Sequence, residues 1–317
     1  MQGLHCLPCR SMSMNYLNYT VKNPVTILRT RRKKIACQYF WEDQTQITAF
    51  TEQKLFFEEV ESKLGVPAGV LKKYLDRAKK KFDLTAPLFL EQSLHQLKGF
   101  LNTKTLKALL HLNLYEINQN LHSVNTLQLK EPHLVQMYDR YATYNGSSPY
   151  QTPGIMTLIQ HLEQEYGTYV PDGGMEQITL SLFELAKRKG VQFLLGEKVN
   201  QILIEGQKAI GVKTQNQKLK SDVVLSNMDV FPTYKNLLKG VKPPKKTLSL
   251  ERSSSAVIFY WGVQHNFDQL DLHNIFFSED YRKEFDAIFN KKTISDDFTL
   301  YVNITSKDVP KDAPKGG

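Results

Sequence analysis

The sequence predicts a mixed α/β fold with a mainly helical first half and a second half rich in strands. Apolar residues recur at helical spacing through most of residues 51–112. From Met175 onward the pattern changes to one amphipathic helix followed by short strand-like runs. With 317 residues and 41% hydrophobic content, the chain can bury a substantial core in one large domain or two smaller ones.

A β-hairpin is predicted at the start of the first half. Residues 37–41 and 46–50 alternate in polarity around Asp43 and Gln44, as the two strands of a hairpin do. Helical spacing of apolar residues then predicts four helices, at residues 51–64, 67–82, 88–101 and 103–112.

The second half is predicted to begin with a helix and continue as strands. Ile178, Leu182 and Leu185 mark one helix face, and Gly190 ends the helix. Short strands are predicted at residues 191–195, 199–205, 209–214 and 223–225, and two longer ones at 256–263 and 298–304.

Several blocks of sequence occur in an order that is informative. Residues 140–150 read RYATYNGSSPY, an apolar run covers 152–162, and residues 171–175 read PDGGM. Aromatic residues, a tight Gly/Ser/Pro turn, a second apolar segment and a glycine pair before a helix thus follow one another. Further blocks lie at residues 35–43, 83–95, 222–230, 252–256 and 272–281.

In this order the blocks resemble the flavin-dependent carotenoid desaturase family, in particular its phytoene desaturase and 1-hydroxycarotenoid 3,4-desaturase group. The resemblance runs from about Ile35 to the end of the chain. It implies an FAD-dependent oxidoreductase fold of the amine oxidase type, in which a Rossmann-like cofactor domain is interleaved with a substrate domain. We expect an atypical segment at 1–34, a helical substrate- or membrane-facing region at 35–170, a partial FAD-binding region at 171–230 and substrate-domain strands at 231–317.

One hallmark of that family does not occur in these 317 residues. Family members open with a GxGxxG turn whose amides hold the flavin pyrophosphate. We therefore expect an internal fragment that binds FAD weakly. For residues 1–34 two alternatives stay open. One is a frameshift, because back-translation of residues 1–17 in another frame resembles the segment after the flavin motif. The other is a divergent N-terminus.

The resemblance also suggests residues for the substrate side. Asp139 and Arg140 precede Tyr141 and Tyr144 where the family lines its substrate channel, and they are the acid–base candidates. The alternative is a surface ion pair on a helix. The aromatic spacing of Tyr138, Tyr141 and Tyr144 is also that of a helix core, so a packing role for the tyrosines stays open.

Six residues are the candidates for contacts with FAD. Val199 occupies the place where the family lends a valine backbone to the adenine, and Gly173 and Gly174 let the backbone come close. Ser226, Asn227 and Met228 match a turn that passes near the cofactor. Plain helix–strand packing is the alternative for all six.

The function that the resemblance implies is FAD-dependent desaturation of a linear C40 carotenoid, such as phytoene or a 1-hydroxycarotenoid. Flavin would take the hydride, and the second hydrogen needs only a weak base. Two alternatives stay open: a non-catalytic remnant, and a related flavoprotein that isomerises or saturates polyenes.

Composition bounds the partners and the location. The net charge of +9 comes from separate clusters, at residues 29–34, 79–81 and 242–246, without a nucleic-acid-binding motif. We therefore expect no nucleic acid partner but an anionic membrane surface. No apolar run approaches the roughly 20 residues of a membrane span, and no signal peptide is visible. The expected location is cytoplasmic, peripherally bound to the membrane. A single CxxC pair, Cys6 and Cys9, and scattered histidines predict no metal site.

Overall fold

The computed structural model describes residues 28–89, 102–252 and 255–314. The chain divides into two compact units, a larger one of Met1–Phe183 with Ser254–Gly317 and a smaller one of Glu184–Ser253. The domain boundaries expected from the sequence stay a prediction. The frameshift hypothesis for residues 1–17 lies outside the described residues.

Strands in the described part of the chain are β1 (Thr30–Arg32), β2 (Ile35–Phe40), β3 (Gln46–Phe50), β4 (Tyr169–Pro171), β5 (Val199–Glu205), β6 (Lys208–Thr214), β7 (Lys218–Lys220), β8 (His273–Phe276) and β9 (Leu300–Asn303). Its α-helices are α1 (Gln53–Leu64), α2 (Ala68–Phe89), α3 (Thr103–Leu109), α4 (Leu121–Leu129), α5 (Pro132–Asp139), α6 (Ile159–Tyr166), α7 (Glu176–Arg188), α8 (Val230–Pro232), α9 (Lys245–Leu248) and α10 (Tyr281–Asp286). Short 3₁₀ segments include Leu112–Leu114, Arg140–Asn145 and Gly154–Leu158.

The predicted hairpin is confirmed as β2 and β3. These strands pair antiparallel, from Ile35 opposite Phe50 to Phe40 opposite Gln46. Gln44 takes a left-handed conformation in the turn, with φ +70°. β8 adds parallel to β2 and β9 adds antiparallel to β8, so the sheet order is β3-β2-β8-β9. Local turn chemistry predicts the hairpin, whereas the β2–β8 pairing joins segments far apart in sequence.

The helices of the larger unit pack against one another and against this sheet. Residues from β2, β3, α1, α2 and α5 share one core, whose fully buried members include Tyr39, Ile47, Phe56, Leu71 and Leu134. The helix predicted at 67–82 is α2, and it continues through Pro87 to Phe89. The prediction for 88–101 lies mostly outside the described residues, and the one for 103–112 ends earlier, as α3.

A cluster of charges joins β1 to distant parts of the larger unit. The Lys33 ammonium lies 3.1 Å from Asp271 and 3.0 Å from Asp308. Arg31 lies 3.2 Å from Asp308 as well. β1 itself pairs antiparallel with β4. Part of the basic cluster at residues 29–34 is therefore neutralised by carboxylates within the fold.

The smaller unit contains an antiparallel sheet of order β5-β6-β7. Its first two strands confirm the predictions at 199–205 and 209–214. Gly211 has φ +146°, and a Cβ at this position would lie 2.0 Å from the carbonyl oxygen of Leu219 on β7. Only glycine therefore allows the close approach of β6 and β7 here.

Three strand predictions are wrong: residues 191–195, 223–225 and 256–263 form no strand. Their apolar side chains are exposed, with Leu195 79%, Leu225 93% and Tyr260 90% accessible. A continuous apolar run becomes a strand only where a neighbour completes its hydrogen bonds. No such neighbour lies beside these runs among residues 28–89, 102–252 and 255–314. By contrast, the prediction at 298–304 is confirmed in shortened form as β9.

None of the helices in the described ranges combines the length and the apolar character that a membrane crossing requires.

Candidate functional site

Asp139 ends helix α5 at the centre of the larger unit. Pro132 opens this helix, and the Glu131 carboxylate caps it by accepting from the Leu134 N–H at 2.6 Å. Asp139 itself is 1% exposed. Its Oδ2 lies 2.6 Å from Nδ1 of His122, and its Oδ1 accepts from the Asn125 amide at 2.8 Å. Both partners lie on α4, so the α4–α5 packing creates the contact.

Arg140 is the next residue, and its side chain has a different set of neighbours. Its guanidinium donates to the Tyr39 hydroxyl at 2.7 Å. The guanidinium carbon also lies over the Tyr141 ring at 4.9 Å and the Tyr144 ring at 5.4 Å. Such cation–π contacts gain strength when they are shielded from water.

The surface ion-pair interpretation of Asp139 and Arg140 is wrong. Arg140 is 6% exposed, and each of the two residues hydrogen-bonds to other partners. The physical reason is that α5 gives way to a 3₁₀ segment at Arg140, within a fully packed interior. Their role as acid–base residues stays a prediction.

The predicted channel tyrosines form part of a stacked ladder. Tyr138 stacks on Tyr141 at a ring distance of 5.9 Å, and Tyr141 stacks on Tyr144 at 5.5 Å. Side chains three residues apart eclipse one another in a 3₁₀ helix, which produces the stacking of Tyr141 on Tyr144. Tyr141 is buried, whereas Tyr144 is 36% exposed, so the ladder runs from the core to the surface.

Glu163 of α6 closes this cluster. Tyr141 donates to one of its oxygens at 2.9 Å and Tyr144 to the other at 3.1 Å. Arg140 therefore lies among three tyrosines with a carboxylate beyond them. A cavity of about 70 Å³ opens beside Gln53 and His161, and neither Tyr141 nor Tyr144 lines it. The channel role of these two tyrosines stays a prediction.

Burial and nearby charges shift the pKa values of Asp139, Arg140 and Cys37. Burial raises the pKa of Asp139, although the hydrogen bonds from His122 and Asn125 oppose this shift. For Arg140, burial alone would lower the pKa, but Tyr39, Tyr144, Tyr141 and Glu163 together raise it well above its usual range. Arg140 is thus a permanent cation inside the core. The Cys37 thiol nearby is inert at neutral pH, because burial raises its pKa to about 12.

Gly173 and Gly174 form the turn before helix α7. Their φ angles are +87° and +94°, a region that side chains disfavour. The Gly174 N–H donates to the Pro171 carbonyl at 3.0 Å. The turn therefore has a backbone free of side chains at two successive positions, and its contact with FAD stays a prediction.

The other candidate FAD contacts lie in the smaller unit. Val199 opens β5 opposite Thr214. The Ser226 hydroxyl lies 3.1 Å from the Thr233 hydroxyl and accepts from the Met228 N–H at 3.3 Å, while Asn227 is exposed. Their contact with FAD stays a prediction. They supply no equivalent of the phosphate-binding GxGxxG turn, which does not occur in the sequence.

Two residues of the cluster were not found by sequence reasoning. His122 lies 17 positions before Asp139, and Glu163 lies 22 positions after Tyr141. Neither separation matches a helical or strand repeat, so periodicity offers no signal for these pairs.

Residues 44–272 match the protein family described as flavin containing amine oxidoreductase. This match covers well over half of the chain. The chain belongs to that family. The predicted fold class, a mixed α/β flavin oxidoreductase of the amine oxidase type, is thereby confirmed.

Within the flavin-containing amine oxidoreductases, the chain is similar to carotenoid desaturases. It is 50% identical over 285 residues to a 1-hydroxycarotenoid 3,4-desaturase from Flavobacterium sp. (strain P99-3), covering 90% of this chain and 58% of that protein. It is 27% identical over 326 residues to a phytoene desaturase from Cercospora nicotianae, covering 99% of this chain and 47% of that protein. The resemblance inferred from the sequence blocks is confirmed.

Coverage of these relatives is partial, since the chain spans about half the length of the curated desaturases that it matches. Among solved structures, an oxidoreductase from Methanosarcina mazei is similar with a TM-score of 0.42 and 17% identity, over 73% of this chain and 55% of that protein.

Proposed function

We propose that this chain takes part in FAD-dependent desaturation of a linear C40 carotenoid, such as phytoene or a 1-hydroxycarotenoid, in carotenoid biosynthesis. The observation that carries the proposal is the 50% identity to a 1-hydroxycarotenoid 3,4-desaturase along 90% of this chain. The substrate is an apolar polyene, and the reaction class is oxidation of a CH–CH pair to a double bond.

FAD, when bound, accepts the hydride, and the protein supplies binding and orientation. Gly173, Gly174 and Val199, with the 226–228 turn, are the proposed contacts of this chain with the cofactor. Because the phosphate cradle does not occur in the sequence, we expect the isolated chain to bind FAD weakly. Titration with FAD, followed by quenching of flavin fluorescence, measures this affinity. FAD retained at one equivalent through gel filtration would contradict weak binding.

Tyr141, Tyr144, Asp139 and Arg140 are the proposed substrate-side residues. The stacked tyrosines present flat apolar surfaces of the kind that a conjugated chain contacts well. Tyr39 and the stacked tyrosines enclose the Arg140 cation, and this enclosure supports a fixed position for it. We assign it to holding the rings of Tyr141 and Tyr144 in place beside the polyene.

A peripheral position on a membrane is the proposed location, since the substrate dissolves in lipid. Four apolar side chains around α3 support it: Leu106, Leu109, Leu110 and Leu112 are each 51% or more exposed. The exposed Lys107 lies among them, and a lysine beside an anionic headgroup contributes about 1 kcal/mol. Flotation with vesicles that contain anionic lipid tests this proposal. Leu106→Ser with Leu110→Ser should reduce flotation, and the exposed Leu127→Ser is the matched control.

The decisive test of the function uses a bacterial host that accumulates phytoene or a 1-hydroxycarotenoid. Expression of the chain should shift the absorption of the extracted pigments to longer wavelength, because each new double bond extends the conjugation. A polyene isomerase would leave the number of conjugated bonds unchanged, and a saturase would lower it. Pigments identical to those of the empty host, together with no measurable FAD binding, would indicate a non-catalytic remnant.

A further inference from the structure

His122 and Asp139 form a pair in which one imidazole nitrogen is held and the other is available. Nδ1 of His122 lies 2.6 Å from the Asp139 carboxylate. The His122 side chain is 32% exposed, whereas that of Asp139 is 2% exposed. No hydrogen bond of Nε2 is found within the described residues. The buried carboxylate thus holds the inner edge of a ring whose outer edge is accessible.

A chain of buried hydrogen bonds supports the carboxylate from behind. The Asn125 amide donates to Asp139, and the carbonyl oxygen of Asn125 accepts from the Tyr74 hydroxyl at 2.6 Å. Tyr74 in turn accepts from the Gln160 amide at 2.7 Å. Because Asn125 can only donate to the Asp139 oxygen it contacts, it favours the ionised carboxylate. The ionised Asp139 carboxylate therefore accepts a hydrogen bond from the Nδ1–H of His122, and in this tautomer the lone pair is on Nε2.

The outer face of the ring adjoins an aromatic side chain. His122 packs on Tyr150 at a ring distance of 4.7 Å. The guanidinium of Arg282 lies 4.9 Å from the centre of the same Tyr150 ring. Asp280 and Glu284 also act on Tyr150 electrostatically. Thus Asp139 is the ionisable group in direct contact with the ring nitrogen, and Arg282 contacts the Tyr150 ring on which His122 packs.

We propose that Nε2 of His122 is the proton acceptor in the desaturation step and that Asp139 is its positioning residue. This inference rests on the proposed function for the reaction itself. In the step, the flavin, when bound, would take one hydrogen of the CH–CH pair together with the electron pair of its C–H bond. The C–H bond on the adjacent carbon breaks as its proton passes to Nε2, and its electron pair becomes the new C=C bond. Two electrons and two hydrogens are thereby accounted for, and Asp139 stabilises the imidazolium that forms.

The test compares four proteins in the desaturation assay. His122→Gln should lower the rate by about 10²- to 10⁴-fold, as loss of general base assistance does. Asp139→Asn should lower it less. His133→Gln is the matched control, because both nitrogens of His133 already contact carboxylates, Glu131 at 2.8 Å and Asp43 at 2.9 Å.

Two further measurements separate chemistry from structure. Nitrogen NMR of the histidine rings in the full chain should show His122 protonated on Nδ1, and Asp139→Asn should shift it toward Nε2. Added imidazole should restore part of the rate of His122→Ala, which a structural histidine would not permit. A wild-type rate in His122→Gln would overturn the inference and leave the proposed function intact. Wild-type protein that does not desaturate would overturn the proposed function, and the NMR result would still decide whether Asp139 positions His122.

Discussion

Arg140 donates a hydrogen bond of 2.7 Å to the hydroxyl of Tyr39, which lies 101 positions earlier in the chain. This bond ties the 3₁₀ segment after α5 to the central strand β2. The neighbouring Asp139 has other partners, because its carboxylate contacts His122 and Asn125 of α4. Adjacent residues of opposite charge therefore belong to two different polar networks in one core.

Replacing Arg140 by methionine tests the buried cation. We expect the free energy of unfolding to fall by about 3–5 kcal/mol, because Glu163 remains buried without a compensating charge. Urea denaturation measures the loss. Adding Glu163→Gln to Arg140→Met should recover part of it. The exposed Lys54→Ala should cost less than about 1 kcal/mol. A similar small loss in Arg140→Met would contradict the interpretation.

Asp139→Asn should change the pH dependence of stability. The pKa of Asp139 is raised by burial, so its contribution to stability is complete below the ordinary pKa of about 3.9 and is lost as pH rises through the folded value. Wild type should therefore lose stability relative to Asp139→Asn between acid and neutral pH. The control variant, Asp43→Asn, should show the opposite pH dependence of stability. Hydrogen bonds from Thr45 lower the pKa of Asp43, so wild type should gain stability over Asp43→Asn in that direction. Denaturant midpoints at several pH values check both, and parallel curves would refute the assignment.

His161→Phe should protect the larger unit from mild acid. His161 packs on Phe82 at 5.0 Å and on Tyr166 at 5.3 Å, and burial lowers its pKa. A lowered pKa means that the stability contribution is present above the ordinary value of about 6.5 and is lost as pH falls through the folded value. Phenylalanine keeps the ring contacts without titrating. Thermal unfolding should show a larger acid-induced drop in wild type than in His161→Phe, and equal drops would count against this role.

Lys81→Ala should weaken the contact between α2 and the segment around Glu116. Lys81 is 1% exposed, forms an ion pair with Glu116 and donates to the Thr157 hydroxyl at 2.6 Å. Its removal leaves Glu116 with Arg77, and the expected loss is about 3 kcal/mol. Lys72→Ala, which breaks an exposed pair with Asp76, should cost less than about 1 kcal/mol. Equal losses in these two variants would show that burial adds nothing to the Lys81 pair.

Gly211→Ala should disturb the sheet of the smaller unit. The added Cβ would collide with the backbone of β7, and strain of this kind costs about 1–3 kcal/mol. Hydrogen exchange should accelerate across residues 208–220. Gly206→Asn is the control, because its φ of +59° suits asparagine and nothing lies within 4 Å of the added atom. Unchanged exchange in Gly211→Ala would refute the steric argument.

The sequence by itself determined the features whose signals are local. The hairpin of β2 and β3 follows from alternation around a turn, and the strands β5 and β6 follow from the short strand-like runs at 199–205 and 209–214. The order of blocks, from residues 35–43 to 272–281, was sufficient to indicate the family. The same resemblance also indicated the substrate-side candidates Asp139, Arg140, Tyr141 and Tyr144.

Tertiary structure alone decided how those candidates are used. The parallel pairing of β8 with β2 and the contacts of Asp139 with His122 and of Tyr141 with Glu163 join residues whose separations follow no helix or strand repeat. The apolar runs at 191–195 and 223–225 show the same limit. Their composition is that of a strand, yet a strand exists only where a second segment completes its backbone hydrogen bonds. Composition and spacing record what a segment can form, and its neighbours in space decide which hydrogen bonds and charges it meets.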